Sequence, residues 1–158
     1  MAKQEKTNVM RTLDRLKIAY RDHCYLDSGA ISGADVARAL GQDPRRVFKT
    51  LVTLGKSHTP LVFMIPVEEE LDLKKAAAAA GEKAVEMLKT KDLLPLTGYI
   101  HGGCSPIGMK KFFTTVIHHT AGTQDYIMFS GGKIGYQVKL SPSDLAKVIP
   151  FSYADLTV

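Results

Sequence analysis

The sequence predicts an α+β fold around a mostly antiparallel or mixed sheet, and three observations carry that prediction. Helical patterns are grouped between strand runs instead of alternating strictly with them. Two β-rich runs, FKTLVTLG and PLVFMIPV, are separated only by GKSHT, so 48–54 and 60–67 read as a hairpin. The near-continuous apolar stretch from Leu61 to Val67 marks the second run as a central strand.

Each element has its own signal. From Thr7, Val9, Met10, Leu13, Leu16 and Ile18 recur near helical spacing opposite Arg11, Asp14, Arg15 and Lys17, which predicts an amphipathic opening helix. Tyr20 to Leu26 reads as a short strand, and SGADVARALGQDP as a second helix stopped by Gly41 with Pro44 beyond it. Asp72 is placed to cap LKKAAAAA, which ends at Gly81. EKAVEML is expected to form a further helix, and LLPLTGYIHGGCSPIG a loop-rich segment. TTVIHH, DYIMFS and GGKIGYQVKL read as strands, the last entered through a glycine turn. Ser141 before Pro142, with Asp144 three positions on, starts the helix SPSDLAKVI.

No repeat, low-complexity tract or linker divides the 158 residues, and 45% hydrophobic content fills one core, so a single domain over 1–158 is expected. The polar start MAKQEK is followed by no apolar run, and no stretch reaches membrane-spanning length, which predicts a soluble, unexported protein. Cys24 and Cys104 form no CxxC pair, so reduced thiols in cytoplasm are expected rather than a disulfide framework or a zinc site. The net charge of +5 would draw an anionic partner such as nucleic acid or a phosphorylated small molecule, although a solvated basic surface accounts for it equally well.

Candidate chemistry centres on a lysine and two glycine turns. Lys49, in VFKTLV, is either an outward-facing strand residue or a cation for a phosphate or carboxylate, with the Thr50 hydroxyl beside it. Gly102, Gly103, Cys104, Ser105 and Pro106 form a tight turn whose backbone amides can converge on one spot, as an oxyanion hole or anion nest requires. Ser130, Gly131 and Gly132 make a second such turn. Cys104 as a nucleophile would need a base such as His101, His118 or His119, and no cysteine-enzyme signature surrounds it. His118 and His119, adjacent on a strand, should point to opposite faces and fail to chelate one ion, so no metal site is expected. His23 and His58 read as surface or structural residues.

In order and at these separations, VFKTLV, GYIHGGCSPIGMKK, SGGKIG and SPSDLAKVI resemble the YbaK/EbsC family of free-standing aminoacyl-tRNA deacylases, relatives of the editing domain inserted in bacterial prolyl-tRNA synthetase. The likeness covers nearly the whole chain and is specific, because each phrase is weak alone and four fall in register. It implies a mixed, partly barrel-like sheet with surrounding helices. The implied activity is a trans-editing hydrolase that removes cysteine from mischarged Cys-tRNA(Pro), and from Cys-tRNA(Cys), by substrate-thiol-assisted ester cleavage. By the same likeness Lys49 holds the phosphate of the terminal adenosine, with Thr50 following it. Gly102 to Pro106 polarise the ester carbonyl, Tyr25 and Ser130 to Gly132 line the pocket, and the Cys104 thiol is a spectator. The implied partners are the aminoacyl-tRNA acceptor end and prolyl-tRNA synthetase, with no cofactor, no membrane and no DNA. Two positions depart from the cysteine-specific pattern: Gln137 where an aspartate is common, and Ser32 where a phenylalanine is common. Gln137 hydrogen-bonds but carries no charge for the substrate's ammonium. This leaves two rivals: a deacylase for Ala-tRNA(Pro) or another small residue, and a binding module for charged tRNA or a nucleotide that does no chemistry.

Overall fold

The structure is a computed structural model, which describes residues 6–30 and 33–158. Ser32 lies outside the described residues. Helix α1 (Asn8–Arg15) starts where Thr7 Oγ1 accepts the Met10 amide at 3.2 Å, and it buries Val9, Met10 and Leu13. Leu16 falls past the helix end, where Lys17 turns left-handed at φ 58°, and it is exposed. Strand β1 (Arg21–Cys24) and helix α2 (Gly33–Ala39) follow, α2 closing at left-handed Gly41 (φ 65°). Strands β2 (Phe48–Gly55) and β3 (Pro60–Pro66) form the antiparallel hairpin the sequence predicts, in register from Phe48↔Pro66 to Leu54↔Pro60. In helix α3 (Leu73–Ala80) the Asp72 carboxylate accepts the Lys74 and Lys75 amides, and left-handed Gly81 ends it.

Two segments differ from expectation. Val85–Met87 is a strand, β4, because Val85 packs under α3 while the backbone pairs with the end of β2 at Thr53↔Met87 and Gly55↔Val85. Sheet pairing overrides the helical pattern of EKAVEML there. Thr90–Thr97, whose last five residues fall in what reads as loop-rich sequence, is helix α4 with Pro95 inside it. The proline removes only one ladder donor, and the helix ends two residues later at Thr97, capped by left-handed Gly98.

Strands β5 (Thr114–His118), β6 (Ile127–Ser130), β7 (Tyr136–Leu140) and β8 (Ser152–Ala154) complete two sheets, ordered β4-β2-β3-β5-β8 and β1-β7-β6. The pairs β3–β5 and β5–β8 are parallel and the others antiparallel. Helix α5 (Pro142–Leu145) opens on Ser141, whose hydroxyl accepts the Asp144 amide. β8 carries no clear strand signal; it forms because it lies alongside β5. A parallel bridge, Val47↔Met128, joins the sheets, backed by Met128 N–H to Arg46 O at 2.8 Å and Val67 N–H to Val47 O at 2.9 Å. The sheet is thus mixed and curled without closing into a barrel.

Strand β3 is central and covered on both sides. Val62 and Met64 face one side, and Met64 packs with Phe48, Ile117, α1 and the inner face of the smaller sheet. Leu61, Phe63 and Ile65 face the other, against Ala76 and Ala77 of α3. All five are at most 3% exposed, each burial worth about 1.5–3 kcal/mol relative to exposure.

Candidate functional site

Alternation along the strands decides which side chains meet. On β7, Tyr136, Val138 and Leu140 enter the main core, so Gln137 and Lys139 face outward. Their register partners share that outer face: His23 and Arg21 on β1, Ser130 and Met128 on β6. Met128 packs with Val47, Val67 and Ala37, which carries this face across the bridge onto β2. Two residues on from the parallel Val47↔Met128 rung stand Lys49 and Ser130. His23, Gln137, Ser130 and Lys49 therefore form one row across four strands. The row falls entirely on the face opposite Phe48 and Tyr136.

The row is polar and underbonded. Among the described residues four buried side-chain polar atoms lack a partner, and two of them, His23 Nε2 and Gln137 Oε1, sit on one cross-strand pair of this row. Such groups cost about 1–3 kcal/mol each when left unpaired, so a pair of them marks a position facing a ligand or bridging water. Burial holds the Lys49 ammonium below the ordinary lysine range, opposed by the charge of Glu70. Burial also lowers the His23 pKa, aided by the positive charge of Lys139, so the imidazole is neutral at neutral pH. His23, a structural or surface residue by sequence, belongs to the row. Its spacing of two from Tyr25 and its place on a strand facing Gln137 are the only signals, and the second needs the register.

The two glycine turns meet at the end of this row. A Cβ placed on Gly103 would lie 3.1 Å from the Ile134 nitrogen and 3.3 Å from Lys133 backbone atoms, so a side chain there would force the two backbones apart by a few tenths of an ångström. Gly102 (φ +88°) lies against the Ile134 side chain, and Gly132 (φ +97°) is wedged between Val9 and Tyr99. The second turn holds itself through Gly131 N–H to Tyr136 O at 2.9 Å and Gly132 N–H to Ser130 Oγ at 3.1 Å. The Tyr25 amide donates to Gly135 O at 2.8 Å, so the residues just after β1 are tied to the same turn. In the first turn Gly103 N–H is engaged by Ile100 O at 3.0 Å. Among the described residues the amides of Gly102, Cys104 and Ser105 have no partner and are the donors available to a carbonyl oxygen. Gly103 contributes close approach rather than an amide.

Other predicted residues fall elsewhere. Thr50 points to the opposite side of β2 from Lys49, with Oγ1 buried and unpartnered. Ser105 is fully buried and accepts the Ile107 amide at 3.3 Å, holding the loop's shape. Pro106 lines a cleft of about 280 Å³ with Phe112, Thr115 and Ile149, away from the row. Cys104 packs with Val52 and Val62, and burial pushes its thiol up to about 12. It is therefore protonated and shielded, the opposite of an activated nucleophile.

The histidine pair corrects an expectation. β5 ends at His118, and His119 begins a 3-10 turn, so the strand alternation breaks and the rings lie 4.4 Å apart. With Asp155 they bring three ligand-type atoms within 4.8 Å of one another. The chemistry of the donors does not suit a metal. His118 Nδ1 accepts the Leu156 amide at 3.1 Å, whereas a histidine ligating through Nε2 must donate from Nδ1, and Asp155 is paired with Lys75 at 2.9 Å.

The polar row thus runs across the two bridged sheets, and the glycine-built amide turn packs against the 133–134 turn of the smaller one. The chain belongs to the aminoacyl-tRNA editing domain family, whose profile matches residues 28–148. It is 45% identical over 155 residues to an Enterococcus faecalis protein provisionally named Cys-tRNA(Pro)/Cys-tRNA(Cys) deacylase EbsC, covering 98% of this chain and 94% of that one. The same fold occurs in the crystal structure of the hypothetical protein APE2540 (TM-score 0.87, 20% identity, covering 96% of this chain and all of that one). It recurs in a protein provisionally described as a trans-editing enzyme for prolyl tRNA synthetase (TM-score 0.83, 20% identity, 96% and 98% covered).

Proposed function

We propose that this protein is a trans-editing deacylase that removes cysteine from mischarged Cys-tRNA(Pro), and from Cys-tRNA(Cys). The observation that carries the reading is the backbone contact of the 102–103 turn with the 133–134 turn, which joins the turn carrying the unpartnered amides to the turn that follows Ser130 of the row. The 45% identity to the EbsC relative supports the same reaction class.

In this reading the Lys49 ammonium holds the phosphate of the terminal nucleotide. Gln137 and Ser130 accept from or donate to the aminoacyl group, and Tyr25 with the Gly131 and Gly132 backbone closes the pocket. Ser105 holds the shape of the loop through the Ile107 amide. The amides of Gly102, Cys104 and Ser105 polarise the ester carbonyl. Cys104 is buried and protonated, so the attacking sulfur is the substrate's own. The cysteinyl sulfur bonds to its ester carbon, the carbon–oxygen bond to the ribose breaks, and the thiol proton passes to the departing ribose hydroxyl. A thiolactone is released. Orientation of such an intramolecular attack supplies roughly 7–11 kcal/mol of barrier reduction, which lets a site with no protein nucleophile suffice. Prolyl-tRNA synthetase is the partner that would hand over the tRNA, in the cytoplasm.

Release of labelled amino acid from Cys-tRNA(Pro) and Ala-tRNA(Pro) tests this. Wild type and Cys104→Ala are expected to release cysteine quickly and alanine slowly, and Lys49→Ala to release neither. Equal release of alanine would assign the Gln137 site to another small residue, and a dead Cys104→Ala variant would sink the substrate-thiol mechanism.

A further inference from the structure

One strand step beyond the row, the same outer face turns basic. Lys139 follows Gln137 by two on β7, and Arg21, its register partner, precedes His23 by two on β1. Beside them the Tyr126 ring carries two cations at once: Lys139 Nζ lies 3.8 Å and the Arg46 guanidinium carbon 4.4 Å from its centroid. The Tyr126 hydroxyl donates to Gln42 Oε1 at 3.0 Å, which fixes the ring in place. Arg46 is paired with Asp125, while among the described residues neither Arg21 nor Lys139 has an ion-pair partner. Asp22, between Arg21 and His23, points to the other face.

Gathering like charges around one ring is unfavourable in the free protein. The ring's negative face and the Asp125 carboxylate on Arg46 offset part of that repulsion, and a bound anion would offset the rest. We propose that Arg21, Lys139 and Arg46, held by Tyr126, form a track for the phosphodiesters of the acceptor strand, leading away from the ester site along β7. The assignment rests on the deacylase reading for the identity of the strand. It also fixes a direction: the aminoacyl end lies at the Gly131–Gly132 turn, and the preceding nucleotides lie toward Lys139 and Arg21. Guanidinium and ammonium groups are the side chains suited to phosphate, and the register sets Arg21 and Lys139 side by side on neighbouring strands.

Binding of an uncharged RNA hairpin ending in single-stranded CCA, followed by fluorescence anisotropy across a salt series, tests the track whether or not the protein is catalytically active. Each phosphate contact on a single strand contributes about 0.7 to the slope of log affinity against log salt. Lys139→Gln and Arg21→Gln are each expected to reduce that slope by about 0.7 and to weaken binding by about tenfold at low salt, while Lys139→Arg retains the wild-type slope. Arg21 is exposed at a strand edge, so its variant keeps the test free of folding effects. Wild type that fails to bind the hairpin, or variants with an unchanged slope, would overturn the track. The separate deacylation assay reports on the ester reading: inactivity there with normal salt-dependent binding would refute the reaction and leave the track standing.

Discussion

His118 shows how one buried residue couples the chain's last strand to pH. It is 3% exposed, and its Nδ1 accepts the Leu156 amide, so the fold needs the neutral ring. Burial lowers its pKa from 6.5, helped by His119 and Lys75 and opposed by Glu69 and Asp155. The unfolded chain then binds a proton more readily than the folded one, so stability is fully present above about pH 6.5 and falls as pH drops through that value. Thermal melts between pH 8 and pH 5 should show this loss, and His118→Gln, which keeps an acceptor but does not titrate, should reduce it. An equally steep profile in the variant would assign the loss elsewhere, His23 being the other histidine shifted in this direction. Residues such as these were poorly legible in the sequence. The pairing of His118 with His119 depended on where β5 ends, and Lys49 is ambiguous until alternation and register place it beside Ser130.

At the level of elements, the 102–106 loop and the 130–135 turn act as one unit because their backbones touch at Gly103. Gly103→Ala is expected to shift the loop off Ile134 by a few tenths of an ångström and to lower deacylation, by less than the roughly 100-fold that a displacement of about 1 Å costs in an oriented reaction. The melting temperature should shift little by comparison, because Gly103 is not left-handed and no large core residue is lost. Wild-type turnover in this variant would remove the loop from the mechanism. The helices with cap signals, Asp72 at α3 and Ser141 at α5, were readable because the capping residue and its amide partners are local. β4 and β8 were not, because three residues form a strand only through a neighbour that sequence does not name.

For the whole molecule, a net charge of +5 on a chain of this size neutralises few phosphates, so the free protein should read the acceptor end and little else of the tRNA. Cys-tRNA(Pro) and Cys-tRNA(Cys) are therefore expected to be deacylated at similar rates by the isolated protein, with selectivity appearing when a synthetase is added. A preference of tenfold or more, about 1.4 kcal/mol, between the two substrates without a partner would contradict this. The fold class and hairpin were legible because apolar runs and glycine turns are local signals. The site was legible only in its parts, as Lys49 and the two turns, because the row is a product of inter-strand register.

The single rung between Val47 and Met128 has a consequence for synthesis. It unites a lysine encoded in the first third of the chain with a serine and a glutamine encoded near its end, and a histidine from the start completes the set. A nascent chain shorter than 137 residues lacks Gln137, so the row cannot assemble until β7 has emerged and paired with β1.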